Sequence, residues 1–300
     1  MANGSEGDAC SREPRDQAEA GPADDEGAND RSTGSGISPE DEQDVHDGSR
    51  LSALKIYEIL RREGAEEMGR PATSLCWSGV AAGLSISFSV IVEGALWTML
   101  PDAPWRPLIT GLGYTVGFLI AVMARHQLFT ENTITVVLPV AARPTSKTLA
   151  RMGRLWAIVL ASNLAGTLLA ALFCTHTSVV PPAVREAMLV VSHESISHPP
   201  LDIFFKAIAA GFLIAAMVWL LPSANATQFH VIILLTYVIA ICGFAHVIAG
   251  SFEGFLLVLN GRLQMLPMLA GFALPALVGN IIGGTALFAV ISYGQVAKEM

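Results

Sequence analysis

Two short stretches of this apolar chain carry groups able to exchange a proton or hydrogen-bond a small solute: Arg125-His-Gln-Leu-Phe-Thr-Glu-Asn-Thr133 and Gly243-Phe-Ala-His-Val-Ile-Ala-Gly-Ser-Phe-Glu253. His246 is the central candidate, because an imidazole has an unperturbed pKa of about 6.5 and can give up or regain a proton near neutrality. Thr130 offers a hydroxyl, and Leu128 and Phe129 beside it offer apolar surface against which an isolated charge is costly to bury. Glu131 adds a carboxylate that raises the imidazole's proton affinity if the two lie close together. Each has a plain structural alternative. His246 can bond a neighbouring helix, Thr130 its own freed backbone, and Leu128 and Phe129 can simply pack. Glu131 can pair with Arg125.

The setting makes these groups notable. The chain has 300 residues, 52% hydrophobic and only 15% charged, where a soluble domain is about a quarter charged. Runs of about 20 apolar residues cross a bilayer. Six are predicted: Ser74–Leu100, Leu108–Ala124, Leu155–Cys174, Leu201–Leu221, Phe229–Gly243 and Met265–Tyr293. The expected architecture is an all-α transmembrane six-helix bundle. Residues 51–70, with Leu51, Leu54, Ile59 and Leu60 among charges, predict an amphipathic helix at the membrane interface.

Residues 1–50 are different in kind. They hold 14 Asp/Glu against 4 Arg and no aromatic residue, so they are expected to stay disordered as an acidic tail. No signal peptide is read in them. The transport domain is expected over residues 71–300. Short-loop cations set its orientation. Lys55, Arg61, Arg62, Arg70, Arg143, Lys147, Arg151, Arg154 and Lys298 fall on one side, and Arg106, Arg185, Lys206 and Arg262 on the other. This predicts a multi-pass protein of the cell (inner) membrane with both termini in the cytoplasm.

A shift of 117 residues lays Asn163-Leu-Ala-Gly166 on Asn280-Ile-Ile-Gly283, Gly94 on Gly211, and Leu128-Phe-Thr130 on Ala245-His-Val247. Three spans per half is an odd number, so the halves must be inverted repeats. The apolar runs after the two polar stretches, Ile134–Ala142 and Gly254–Leu259, are too short to span alone. The second and fifth helices therefore read as broken. Backbone freed inside a membrane must be buried in protein or line a cavity, and ionisable residues there mark a pathway.

With these features the sequence resembles the formate/nitrite transporter family over roughly residues 52–295. The resemblance rests on Leu128-Phe129-Thr130, on His246 within Gly243-Phe-Ala-His-Val-Ile-Ala, on Asn163-x-x-Gly166 and Asn280-x-x-Gly283-Gly284, and on the 3+3 arrangement. It implies an aquaporin-like protomer in a homopentamer, one pore per subunit, passing small monovalent weak-acid anions such as formate, nitrite or hydrosulfide together with protons. By position it makes Leu128 and Phe129 constriction residues, Thr130 the pore-loop threonine and His246 the central histidine. Asn163 and Asn280 join this pathway set. The sequence departs from the family at Gln127 and Ala245, where an acidic residue is usual, at Glu131, where a small one is, and at Gly250, often Asn. The family's vestibule lysine falls near Pro199, with His198 or Lys206 as substitutes.

Other charges stay open. Glu93 is a pore or interface residue, Lys206 is expected to snorkel to the surface, and Glu253 has no assigned role. His193 and His198 are five apart, not the four of a zinc-protease helix. No cofactor, metal site, nucleic-acid partner or enzymatic motif is read from the sequence. The rival readings are a pore for another small polar or cationic solute, with Glu131 and Glu93 reversing the preferred charge, and a non-conducting membrane scaffold.

Overall fold

The computed structural model describes residues 51–297. The acidic tail and Lys298 lie outside them. Ten helices carry the fold. Helix α1 is Ala53–Glu67, α2 Ala72–Met99 and α3 Arg106–Met123. The short apolar α4, Asn132–Ala142, is followed by the long α5, Ser146–His176, and by α6, Pro182–Ile196. Next come α7, Pro200–Ala224, and α8, Gln228–Ile241. Helices α9, Val247–Leu259, and α10, Met265–Val296, complete the bundle.

Five continuous stretches among the described residues are long and apolar enough to cross a membrane. One of them, Pro200–Ile241, contains two of the expected spans. The chain reverses inside it at Asn225–Thr227, where Asn225 has φ +37 and Pro222 has just removed a backbone donor. Helices α7 and α8 then pack against each other. The six expected spans are thus α2, α3, α5, α7, α8 and α10. Leu169, Phe173, Leu201, Phe205, Leu234, Leu266 and Val290 stand exposed around the outside, which suits a bundle solvated by lipid. The chain is a multi-pass membrane protein.

The repeat is visible in packing. Helix α1 lies on α4, and α6 lies on α9, so each half opens with a short helix that covers its own half-span. Helix α6 was not foreseen: its stretch was read only as a failed metal motif. The interlocking of spans corrects one expected match. A side chain on Gly83 would strike the carbonyl of Asn163, and one on Gly211 would strike that of Asn280. Gly83 is therefore the counterpart of Gly211. Gly94 instead faces Met188 of α6. The first half carries extra length between this glycine and its break, so a single offset could not align both.

Candidate functional site

Both breaks begin with the same backbone turn. At the end of α3, Arg125 N–H donates to the carbonyl of Val122 (3.0 Å) and His126 N–H to that of Ala121 (2.9 Å). At the end of α8, Gly243 N–H donates to Ala240 (3.0 Å) and Phe244 N–H to Ile239 (3.0 Å). This nested pair is a Schellman cap, whose pivot residue must be left-handed. The pivots are Arg125 at φ +55 and Gly243 at φ +60. They are 118 residues apart, one more than the expected shift. Leu128 is thus the counterpart of His246.

Each break is then held by an asparagine from a neighbouring span. Asn163 of α5 accepts the Phe129 N–H at Oδ1 (2.8 Å), while its Nδ2 donates to Gly79 (2.9 Å) and Gln127 (2.8 Å) carbonyls. Asn280 of α10 accepts the Val247 N–H (2.8 Å) and donates to the Ala207 (2.8 Å) and Ala245 (3.0 Å) carbonyls. Both are fully buried. They satisfy main-chain groups that a helix break would leave orphaned in a medium without water. Their amides are occupied by the scaffold, which makes them positioning residues.

Between the breaks the two halves meet. Thr130 and His246, both buried, lie with Oγ1 2.7 Å from Nε2. His246 is also the N-cap of α9: its Nδ1 accepts the Ala249 N–H at 3.3 Å. An Nδ1 that accepts places the ring proton on Nε2. Nε2–H therefore donates to Thr130, whose own hydroxyl hydrogen is left for another acceptor. Phe118 of α3 meets the imidazole edge-on at 4.9 Å between centroids. Sequence reading missed Phe118, since nothing sets it apart from other apolar residues of its span.

A cavity of about 780 Å3 opens on the α1 side and reaches the first break at Leu128 and Glu131, on either side of Phe129 and Thr130 in sequence. Leu128, Gln127 and Glu131 line its inner part, with Glu63, Glu67, Arg70 and Arg125 nearer the rim. Leu128 faces this space. Phe129 turns instead to Trp156, edge-on at 5.8 Å. Gln127 and Asn132 are tied together, Asn132 Nδ2 donating to Gln127 Oε1 at 3.0 Å. Glu131 does not form the ion pair with Arg125 that was its structural alternative. Arg125 is taken by Glu63 (3.0 Å) and Arg70 by Glu67 (2.9 Å).

The opposite side carries its own polar groups. Glu253 is buried on α9 and its Oε2 accepts from Ser195 Oγ of α6 at 2.8 Å. Lys206 donates to His198 Nε2 at 2.9 Å, in an exposed contact. Glu93 on α2 faces α3 where Gly113 leaves room for its backbone. Among the described residues no group of three or more His, Cys, Asp or Glu is placed to hold a metal.

The family model for formate/nitrite transporters matches residues 54–294. The chain belongs to that family. A relative from Escherichia coli, inner membrane protein YfdC, is 42% identical over 248 residues, covering 83% of this chain and 80% of its own. The formate channel FocA of Haemophilus influenzae is 25% identical over 69% of this chain and 76% of its own length. Among solved structures, a pentameric formate channel with formate bound superposes with a TM-score of 0.66 at 21% identity, over 76% of this chain and 98% of that one. At that identity the likeness speaks for the fold: the aquaporin-like arrangement of the family.

Proposed function

We propose that this protein is a channel for a small monovalent weak-acid anion of the formate or nitrite kind, linked to protons through His246. The observation that carries this reading is the 2.7 Å contact between Thr130 and His246, which joins the two broken helices at one buried point. An isolated anion loses several kcal/mol or more on entering such a site, whereas its neutral conjugate acid does not. The free hydroxyl hydrogen of Thr130 supplies a donor for the permeant oxygen. When the ring holds a second proton it draws the anion in, and its Nε2 proton passes through the Thr130 hydroxyl to the permeant. The ring N–H breaks, an O–H forms on the permeant, and both partners end neutral. Leu128 serves as the apolar step that only the neutral form crosses.

Family membership supports a homopentamer with a pore in each subunit. The excess of Lys and Arg on the α1 side supports cytoplasmic termini, and the likeness to an inner membrane protein supports an inner-membrane location. The test is uptake of formate, nitrite and hydrosulfide into proteoliposomes across a pH series. Wild type should exceed His246→Asn, which keeps a capping side chain for α9 but cannot carry a proton. Equal rates for the two at every pH reject the relay.

A further inference from the structure

Glu131 stands directly after Thr130, at the floor of the cavity on the α1 side. Its Oε1 is buried and has no hydrogen-bond partner among the described residues. The charged and titratable groups around it are accounted for. From α1 and the turn after it come Glu63, Glu66, Glu67 and Arg70, and from the break come Arg125 and His126. Both arginines are held by glutamates, Arg125 by Glu63 and Arg70 by Glu67. Helices α7 and α8 contribute Val218, Leu221, Pro222 and Gln228, none of them titratable. Glu131 thus has no cation of its own: Oε1 is buried without a partner, while the residue as a whole is only partly buried and lines the cavity.

The histidine needs such a neighbour. With Ala249 N–H on Nδ1, and with its ring at the positive end of the α9 dipole, the imidazole at rest is neutral. While the ring is neutral it has no second proton to give, so an anion arriving from the α1 side at that moment meets its proton elsewhere. We infer that the Glu131 carboxyl is the proton-loading group at the cavity floor, protonating a small carboxylate or oxoanion just before it crosses Leu128. The Glu131 O–H breaks as an O–H forms on the permeant. The carboxylate left behind regains a proton from hydronium in the cavity. In the reverse direction it takes the proton from the emerging acid. The family's usual small residue at this position could do neither.

This inference rests on the weak-acid reading, and one experiment separates their failures. Wild type, Glu131→Gln and His246→Asn are reconstituted, and uptake of formate and of its neutral isostere formamide is followed from acid to alkaline pH. Glu131→Gln should lose roughly tenfold or more of formate uptake on the alkaline side, the scale of one acid–base group, with formamide uptake unchanged. Infrared difference spectra should show a protonated-carboxyl band at neutral pH that the variant lacks. Formate uptake untouched at every pH overturns the inference and leaves the weak-acid reading standing. So does an equal fall in formate and formamide, which marks a role in packing. A swing from cation to anion flux marks a cation filter and overturns both readings. A wild type no better than empty vesicles for formate, nitrite and hydrosulfide sinks both.

Discussion

Asn163 and Asn280, one in each half of the molecule, make the same three hydrogen bonds to equivalent backbone atoms of the two breaks and of the spans beside them. Each amide accepts one N–H on the far side of a break. Each donates to one carbonyl within the break and one from the neighbouring span. This is the inverted repeat expressed as chemistry, and it fixes where Thr130 and His246 can meet.

Removing either clasp should therefore damage the fold before it damages selectivity. Asn163→Ala and Asn280→Ala each leave an N–H and the carbonyl inside the break unpaired in a buried site, at about 1–3 kcal/mol per unsatisfied group. Both variants should show clearly lower melting temperatures in detergent, by similar amounts. A melting temperature within error of wild type for either one would show that its break is held by something else.

The hydroxyl of Thr130 gives a sharper functional test. Thr130→Ser keeps the donor and should keep most of the flux. Thr130→Val keeps the shape, leaves His246 Nε2–H unpaired and should lower formate flux about tenfold, as expected for one hydrogen bond of roughly 1.5 kcal/mol. Uptake kinetics of the two variants side by side check this, and comparable rates for Ser and Val would dismiss the hydroxyl from the pathway.

Crowding at Gly211 predicts a loss of stability. A methyl group there meets the Asn280 carbonyl, and overpacking of this kind costs about 1–3 kcal/mol. Gly211→Ala should melt earlier than wild type and yield less intact oligomer on size exclusion, while Gly153→Ala, with open space around it, should match wild type.

At the surface, α1 offers a modest pH effect. Hydrogen bonds from Arg61 and then Arg62 lower the Glu58 carboxyl from 4.5 to about 2. A lowered folded-state value means stability fully present above the ordinary carboxylate range and lost as pH falls toward 2. Because the group is exposed, the contribution at neutral pH is only about 0.3–0.5 kcal/mol. Glu58→Gln should melt slightly earlier than wild type at pH 7, and the gap should close under strongly acidic conditions.

The spans, the inverted halves and the two breaks carrying Thr130 and His246 were legible in the sequence, because apolar length and misplaced polar residues are strong signals; the direct contact between the two side chains was not, since no spacing reports it. The register was less so. Gly243 announces a left-handed turn, but its partner at that turn is Arg125, a residue type that seldom adopts it, so nothing pointed to the 118-residue spacing. Gly94 misled because small residues recur along every span. Helix α6 was hidden by a mixed composition that resembles a loop. The pairing of Arg125 with Glu63 joins residues 62 apart in sequence, a distance at which spacing gives no guidance, so only the nearer Glu131 stood as its alternative partner.

The two asparagine clasps grip only main-chain atoms. Side chains hanging from the breaks can accordingly be exchanged without loosening the grip, so the frame is indifferent to the filter it carries. A lineage can retune what passes by altering positions such as Gln127 or Glu131 while leaving its architecture untouched, and close kinship in shape need not mean a shared cargo.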